Sequence, residues 1–343
     1  MLLSHFEYYI FFLPVQGLLS GDKLKRSYYM MVWGLFLLGI FIFLALDLGI
    51  FNKNPHIISV KEASIWTSVW VSLSFLFSGV IYWLYNTGKI DNVDALTPTN
   101  ATVKYITGYL IELSLSIDNI FVIAVIFSSF HIPQKYQHRV LFWGILGAIV
   151  FRALMIFFGV VLIKKFSFTT YIFGAFLLFT AFRMLFSKEE KFNPKKSFIY
   201  RNLRKVIPIT SHMQGQKFFV KMRHIKAATP LFIALVVIEF TDILFALDSV
   251  PAILAITSDP FLVFSSNIFA ILGLRSMYFF LANMLNRFTY LKYSLVAILC
   301  FVGIKLILVH YYKFPEWVSL IFIAFSLTLG IIVSLNRKTA KED

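Results

Sequence analysis

Cysteine is almost missing from this chain. Its 343 residues include one, Cys300, set inside an apolar run. An internal disulfide is therefore excluded, as is any CxxC or Cys/His spacing for zinc or thiol exchange. Charge is scarce as well. Asp, Glu, Lys and Arg make up 14% of the residues and hydrophobic types 59%, where a soluble domain is roughly a quarter charged and half apolar. No haem-ligand pair or glycine-rich dinucleotide fingerprint is present to carry redox chemistry, so neither an enzyme nor a bound cofactor is expected. Acidic residues are the rarest charges: 17 against 32 Lys and Arg, a net charge of +15. That excess does not indicate nucleic acid. The basic residues lie between apolar runs, which is where loops beside anionic lipid headgroups carry them.

Long apolar runs are what the chain has in abundance. The mean hydropathy is +0.79, and runs of about 20 residues, each enough to cross ~30 Å of hydrocarbon, fall near 28–51, 64–86, 103–130, 137–163, 168–186, 228–257, 261–284, 293–311 and 316–335. The expected fold class is all-α, a polytopic transmembrane helical bundle of about nine spans. Stretch 6–19 is shorter and contains Pro14. With no basic residue before it and no small-residue cleavage site after it, it is read as interfacial or re-entrant rather than a signal peptide. The chain then divides into an N-terminal segment (1–27), two leading helices (28–102), a three-helix unit (103–187), a basic loop (188–227), a second three-helix unit (228–311), and a last helix with its tail (312–343).

The loop carries eleven Lys/Arg with Phe198, Ile199, Leu203, Val206, Phe218 and Phe219 interleaved. That mixture suits a segment on anionic headgroups, and a solvated basic loop is the plainer alternative. Placing it in the cytoplasm puts the N-terminus outside and the C-terminus inside. Without this loop the basic residues on the two sides nearly balance, so the orientation rests on it.

The informative residues are charges that the bilayer excludes. Asp47 lies in the first span, Glu112 and Asp118 in the third, and Glu239, Asp242 and Asp248 in the sixth. At about 2.5–3.5 kcal/mol for each mid-bilayer charge, six of them facing lipid cost roughly 15–20 kcal/mol. They must face the bundle interior, a water-filled path or cationic partners. Arg152 and Arg275, near the middles of the fourth and seventh spans, are natural counter-ions and poor cation ligands. Carboxylate remains in excess, and excess carboxylate calls for a cation. The plainer alternative is that acids and bases pair and lock the bundle.

Aligning Ser116-Ile117-Asp118-Asn119 with Ala246-Leu247-Asp248-Ser249 sets Glu112 opposite Asp242. Each unit then has three spans, and an odd number forces opposite orientations, giving two inverted three-helix repeats with an ion site expected where they meet. At about 100° per residue Glu239, Asp242 and Ala246 share a face, while Asp248 points away from it. Either one helix serves two neighbours or it is broken within the motif. Pro251 favours a break in the sixth span, because its ring displaces the carbonyl of Leu247. The donors are carboxylates, the Asn119 amide and the hydroxyls of Ser114, Ser116, Thr241 and Ser249, a hard oxygen set suited to Mn2+, Mg2+ or Ca2+.

At these residues the chain resembles the TerC/Alx family. The resemblance is carried by Glu112 to Phe121 (ELSLSIDNIF) and Glu239 to Ala252 (EFTDILFALDSVPA), with Phe142-Trp143-Gly144 and Ser266 to Ser276 in support. It extends from about Leu44 onward. It implies a bacterial inner-membrane protein of a family named for tellurium resistance, whose members include exporters of manganese that relieve metal excess. By the same resemblance the metal ligands are Asp47, Glu112, Asp118, Glu239, Asp242 and Asp248, to which the motif adds Asn119. The resulting expectation is a transporter of a hard divalent cation, with Mn2+ as cargo. The alternative is a membrane scaffold or redox-modulating protein without transport. Oligomeric state is left open.

Overall fold

The computed structural model describes residues 22–49, 58–92, 94–166, 168–186, 198–210, 213, 215–222, 225–282, 291–309, 311–312 and 314–339. Stretch 6–19, part of the basic loop and the end of the tail lie outside the described residues. Ten helices and one hairpin follow in order: α1 (Asp22–Gly49), α2 (Val60–Asn86), α3 (Pro98–Ser129), α4 (Gln134–Lys165), α5 (Thr169–Phe186), α6 (Phe198–Val206), β1 (Phe219–Met222), β2 (Ile225–Ala228), α7 (Pro230–Leu254), α8 (Pro260–Ala282), α9 (Leu291–Leu308) and α10 (Glu316–Thr339). Each of the nine apolar runs falls on a helix. Among the described residues eight helices are long and apolar enough to cross a membrane; α9 is the ninth long one, with Lys292 and Lys305 in its 18 residues. The chain is an all-α, multi-pass membrane protein.

Local chemistry starts these helices where they start. Thr97 caps α3 by accepting from the Asn100 N–H at 3.2 Å, and Pro98 follows it. Thr229-Pro230 opens α7 and Asp259-Pro260 opens α8. Proline suits a first turn whose N–H groups have no helical partner. Large apolar side chains such as Leu76, Phe179 and Phe186 are exposed on the bundle's outer surface, where hydrocarbon and not water surrounds them.

Helix α8 is the axis of the bundle and almost wholly enclosed. Trp33 and Phe36 of α1 pack edge-on against its Phe261. The pairings around it are regular: α3 lies on α8 and α4 on α7, α3 meets α7, α4 meets α8, and α5 lies along α9. Exchanging α3, α4 and α5 for α7, α8 and α9 leaves that set of pairings unchanged. At the α5–α9 crossing a Cβ on Gly174 would lie 2.8 Å from the Gly303 carbonyl, so glycine lets the two backbones approach.

The two ends of the bundle differ. At the hairpin end, Tyr200 of α6 packs on Phe130 and Arg139 reaches Gln216. The basic loop is therefore partly folded, with Val220, Ala227 and Ala228 buried, and is not one surface-lying segment. At the far end, Asp94 accepts from the Thr257 hydroxyl (3.0 Å), the Ser258 N–H (3.2 Å) and the Ser258 hydroxyl (2.8 Å), and Lys104 Nζ donates to the Ile256 carbonyl at 2.9 Å. These bonds tie the start of α3 to the turn after α7, so α3 and α7 run antiparallel.

Beside this tie, the Tyr85 hydroxyl donates to Asp259 at 2.7 Å, and Asp259 accepts from the N–H groups of Phe261 and Leu262. Burial pushes the Asp259 carboxyl up to about 6. Its folded value lies above the unfolded one, so its stabilisation is complete below about pH 4 and lost as pH rises through 6, up to about 3 kcal/mol. In detergent, the melting temperature of wild type relative to Asp259→Asn is expected to fall between pH 4 and 6. A constant difference across that range would contradict the assignment.

Helix α7 is continuous through the acidic motif, which corrects the expected break at Pro251. This proline lies in the last turn, and the helix ends within one turn of it, at Leu254. The lost hydrogen bond to Leu247 thus helps to terminate the helix. Helix α3 is likewise unbroken over Glu112 to Asn119.

Candidate cation site

Four helices meet around one buried guanidinium. Arg152 of α4 has 1% of its side chain exposed and, through Nη1, contacts the Glu112 carboxylate of α3 in a salt bridge. The same nitrogen donates to Asn267 Oδ1 of α8 at 3.0 Å. Nη2 donates to Asp242 Oδ1 of α7 at 3.1 Å, with Nε 3.5 Å from Oδ2. Asn119 Nδ2 donates to Asp242 Oδ1 at 3.4 Å. The planar fork of arginine makes this possible, since one guanidinium can serve several acceptors in fixed directions. Glu112 and Asp242 are the two acids that the motif alignment sets opposite one another.

A cavity of ≈ 30 Å³ adjoins Asp242, lined among others by Asn119, Gly144, Glu239, Thr241 and Leu274. Its volume matches one water or one small cation. It lies in the half of the bundle nearer the hairpin end. Glu239 packs against α4 where that helix has glycine: a Cβ on Gly147 would overlap the Glu239 carboxyl. Glu239 Oε2 and Asn119 Oδ1 are buried and accept no hydrogen bond from any described residue. Buried acceptors without donors are costly, and a cation in the cavity would satisfy both. Gly147→Ala is therefore expected to displace the Glu239 carboxyl and weaken divalent-cation binding about tenfold or more, the scale of one charged ligand. Titrating the purified variant and wild type with Mn2+ measures this, and equal affinities would count against a Glu239 ligand.

The expected acids whose side chains are described do not form one metal-ready group. Among the described residues no three His, Cys, Asp or Glu side chains are placed to hold a metal ion together. Glu239 and Asp242 line the cavity, while Arg152 takes up Glu112. Asp248 lies on another face of α7, where it accepts from Thr180 of α5 at 2.9 Å. One straight helix thus serves two neighbours. Asp47 and Asp118 fall within α1 and α3, but their side chains lie outside the described residues. Arg275, expected as a second counter-ion, is 2.8 Å from His138 Nε2. Sequence reasoning missed the roles of Asn267 and Gly147. An amide in the middle of the apolar run of α8 was the available signal for the first; nothing marked the second.

These carboxylates, held by the two motif-bearing helices, lie within the segment 97–342 that matches the model of the integral membrane protein TerC family. The chain belongs to the TerC family. It is 46% identical over 306 residues to an uncharacterised membrane protein of Myxococcus xanthus, covering 89% of this chain and 92% of that one. It is 42% identical over 304 residues to the Alx protein of Escherichia coli K12, covering 88% and 92%, and 41% identical over 315 residues to Alx of Salmonella typhi, covering 91% and 97%. Both Alx proteins are named as candidate membrane-bound redox modulators. No solved structure matches this TerC chain.

Proposed function

We propose that this TerC protein exports a hard divalent cation, with Mn2+ the favoured cargo, from the cytoplasm across the bacterial inner membrane by alternating access. The carrying observation is the charge of the buried cluster. Among the described residues Glu112, Glu239 and Asp242 set three carboxylates against the single Arg152, and with these acids ionised two negative charges remain, the complement of one divalent ion. The Asn119 and Thr241 oxygens add hard donors. Manganese in particular comes from the TerC/Alx resemblance; the donor set also suits calcium and magnesium. The exchange pattern of the helix packing supports two inverted repeats that rock about a central site. The basic loop supports a cytoplasmic hairpin end and an outer N-terminus.

The test is Mn2+ flux into proteoliposomes, with Ca2+ and Mg2+ as competitors. Saturable flux above protein-free vesicles is expected. A well-folded protein that gives no flux with any of the three ions would move the reading to a membrane scaffold, in which the acids and arginine serve packing alone.

A further inference from the structure

We infer that Arg152 is a tethered competitor of the transported cation: its guanidinium occupies Asp242 when the cavity holds no ion, and a divalent ion binds by taking Asp242 away from it. This inference rests on the proposed transport function. Three observations carry it. Asp242 faces both the cavity and Arg152, so a single carboxylate serves two cations in turn. Its contacts with Arg152 are at 3.1 and 3.5 Å, and 15% of the Asp242 side chain is exposed against 1% for Glu112. Arg152 also keeps partners on the side away from the cavity. Glu112 and the Asn267 carbonyl, at 3.0 Å, remain to satisfy it once Asp242 is gone.

Among the described residues no three acids stand in metal-binding reach, and competition makes Glu239 and Asp242 available as a pair only when Arg152 retracts toward α3 and α8. A buried guanidinium cannot lose its proton, so it always carries the charge that an absent ion leaves unbalanced. Arg152 thereby does two things: it keeps the empty carrier from holding uncompensated acid, and it lowers affinity so that the ion can leave. It belongs to one copy only, α4, while the acids it joins belong to both. The two halves of the site are unequal for that reason.

Arg152→Gln alone would tighten binding by charge even without competition, so the decisive variant is Glu112→Gln/Arg152→Gln. It removes one charge of each sign and leaves the net charge of the cluster as it was. Mn2+ titration of the purified, monodisperse protein in detergent is expected to show binding about tenfold tighter than wild type, the scale of one charge-assisted hydrogen bond, with slower flux because release is impaired. Affinity equal to or weaker than wild type would overturn the inference. Asn267→Ala, in a chain whose charges are intact, provides a second arm. It removes a partner that holds Arg152 away from Asp242, and so is expected to weaken Mn2+ binding; tighter or unchanged binding would again count against competition. Wild-type protein that neither binds nor transports Mn2+, Ca2+ or Mg2+ would instead remove the transport reading itself.

Discussion

Neutralising the two cavity acids together, as Glu239→Gln/Asp242→Asn, is expected to reduce Mn2+ flux by roughly 100-fold or more, taking about 1.5–3 kcal/mol for each charged ligand lost. A divalent ion entering the bundle gives up much of its water, and only fixed negative charge offsets that cost. With both acids replaced, Glu112 and Arg152 balance one another, and among the described residues no ionised side chain is left lining the cavity. The fold is not expected to suffer in proportion. Glu239 Oε2 has no described donor to lose, and an asparagine at 242 still offers one oxygen to the Arg152 fork. Proteoliposome flux and detergent melting, measured on the same preparation, separate the two effects. Flux at the wild-type level would end the carboxylate account. Loss of flux together with loss of the folded protein would favour the scaffold.

Arg152→Gln is the second large effect, and it acts on stability. Removing one partner of a buried ion pair leaves the other uncompensated, at about 3–5 kcal/mol. Here the guanidinium has three partners, Glu112, Asp242 and Asn267, on three other helices, so the loss loosens the contact of α4 with α3, α7 and α8 at once. A lower melting temperature and poor recovery from membranes are expected. Adding Glu112→Gln removes the most deeply buried of the abandoned charges and is expected to recover more than half of the loss. Residues in one network do not act independently, so the double variant is predicted to be more stable than the single one. Purely additive destabilisation would mean that Glu112 and Arg152 are not a working pair in the membrane.

Most of the fold was legible in the sequence because the bilayer makes one demand above all others. Every spanning segment must be apolar and close its own hydrogen bonds, so nine apolar runs mark nine helices. The third and sixth spans stood out because carboxylates are expensive there. What could not be read was which acid turns to which neighbour. Asp242 and Asp248 are six residues apart on one helix, and only the positions of α4 and α5 decide that one meets Arg152 and the other Thr180. Pro251 misled for a related reason: a proline disrupts a helix only if the helix continues well past it, and the chain turns within a residue or two after Leu254. The hairpin in the basic loop was hidden by length, since strands of four residues with one lysine each are too short for an alternating pattern to show.

The folded part of the basic loop, with Lys205, Lys217, Lys221 and Lys226 exposed on it, stands at the end of the bundle nearer the cavity. A divalent cation approaching from that side passes through a repulsive field before it meets the first carboxylate, so its concentration at the mouth is below that of the bulk. The field reaches about 8 Å at physiological ionic strength and less as salt rises. In the transport reading proposed above, the loop would slow the entry of a divalent cation from that side, most strongly at low salt.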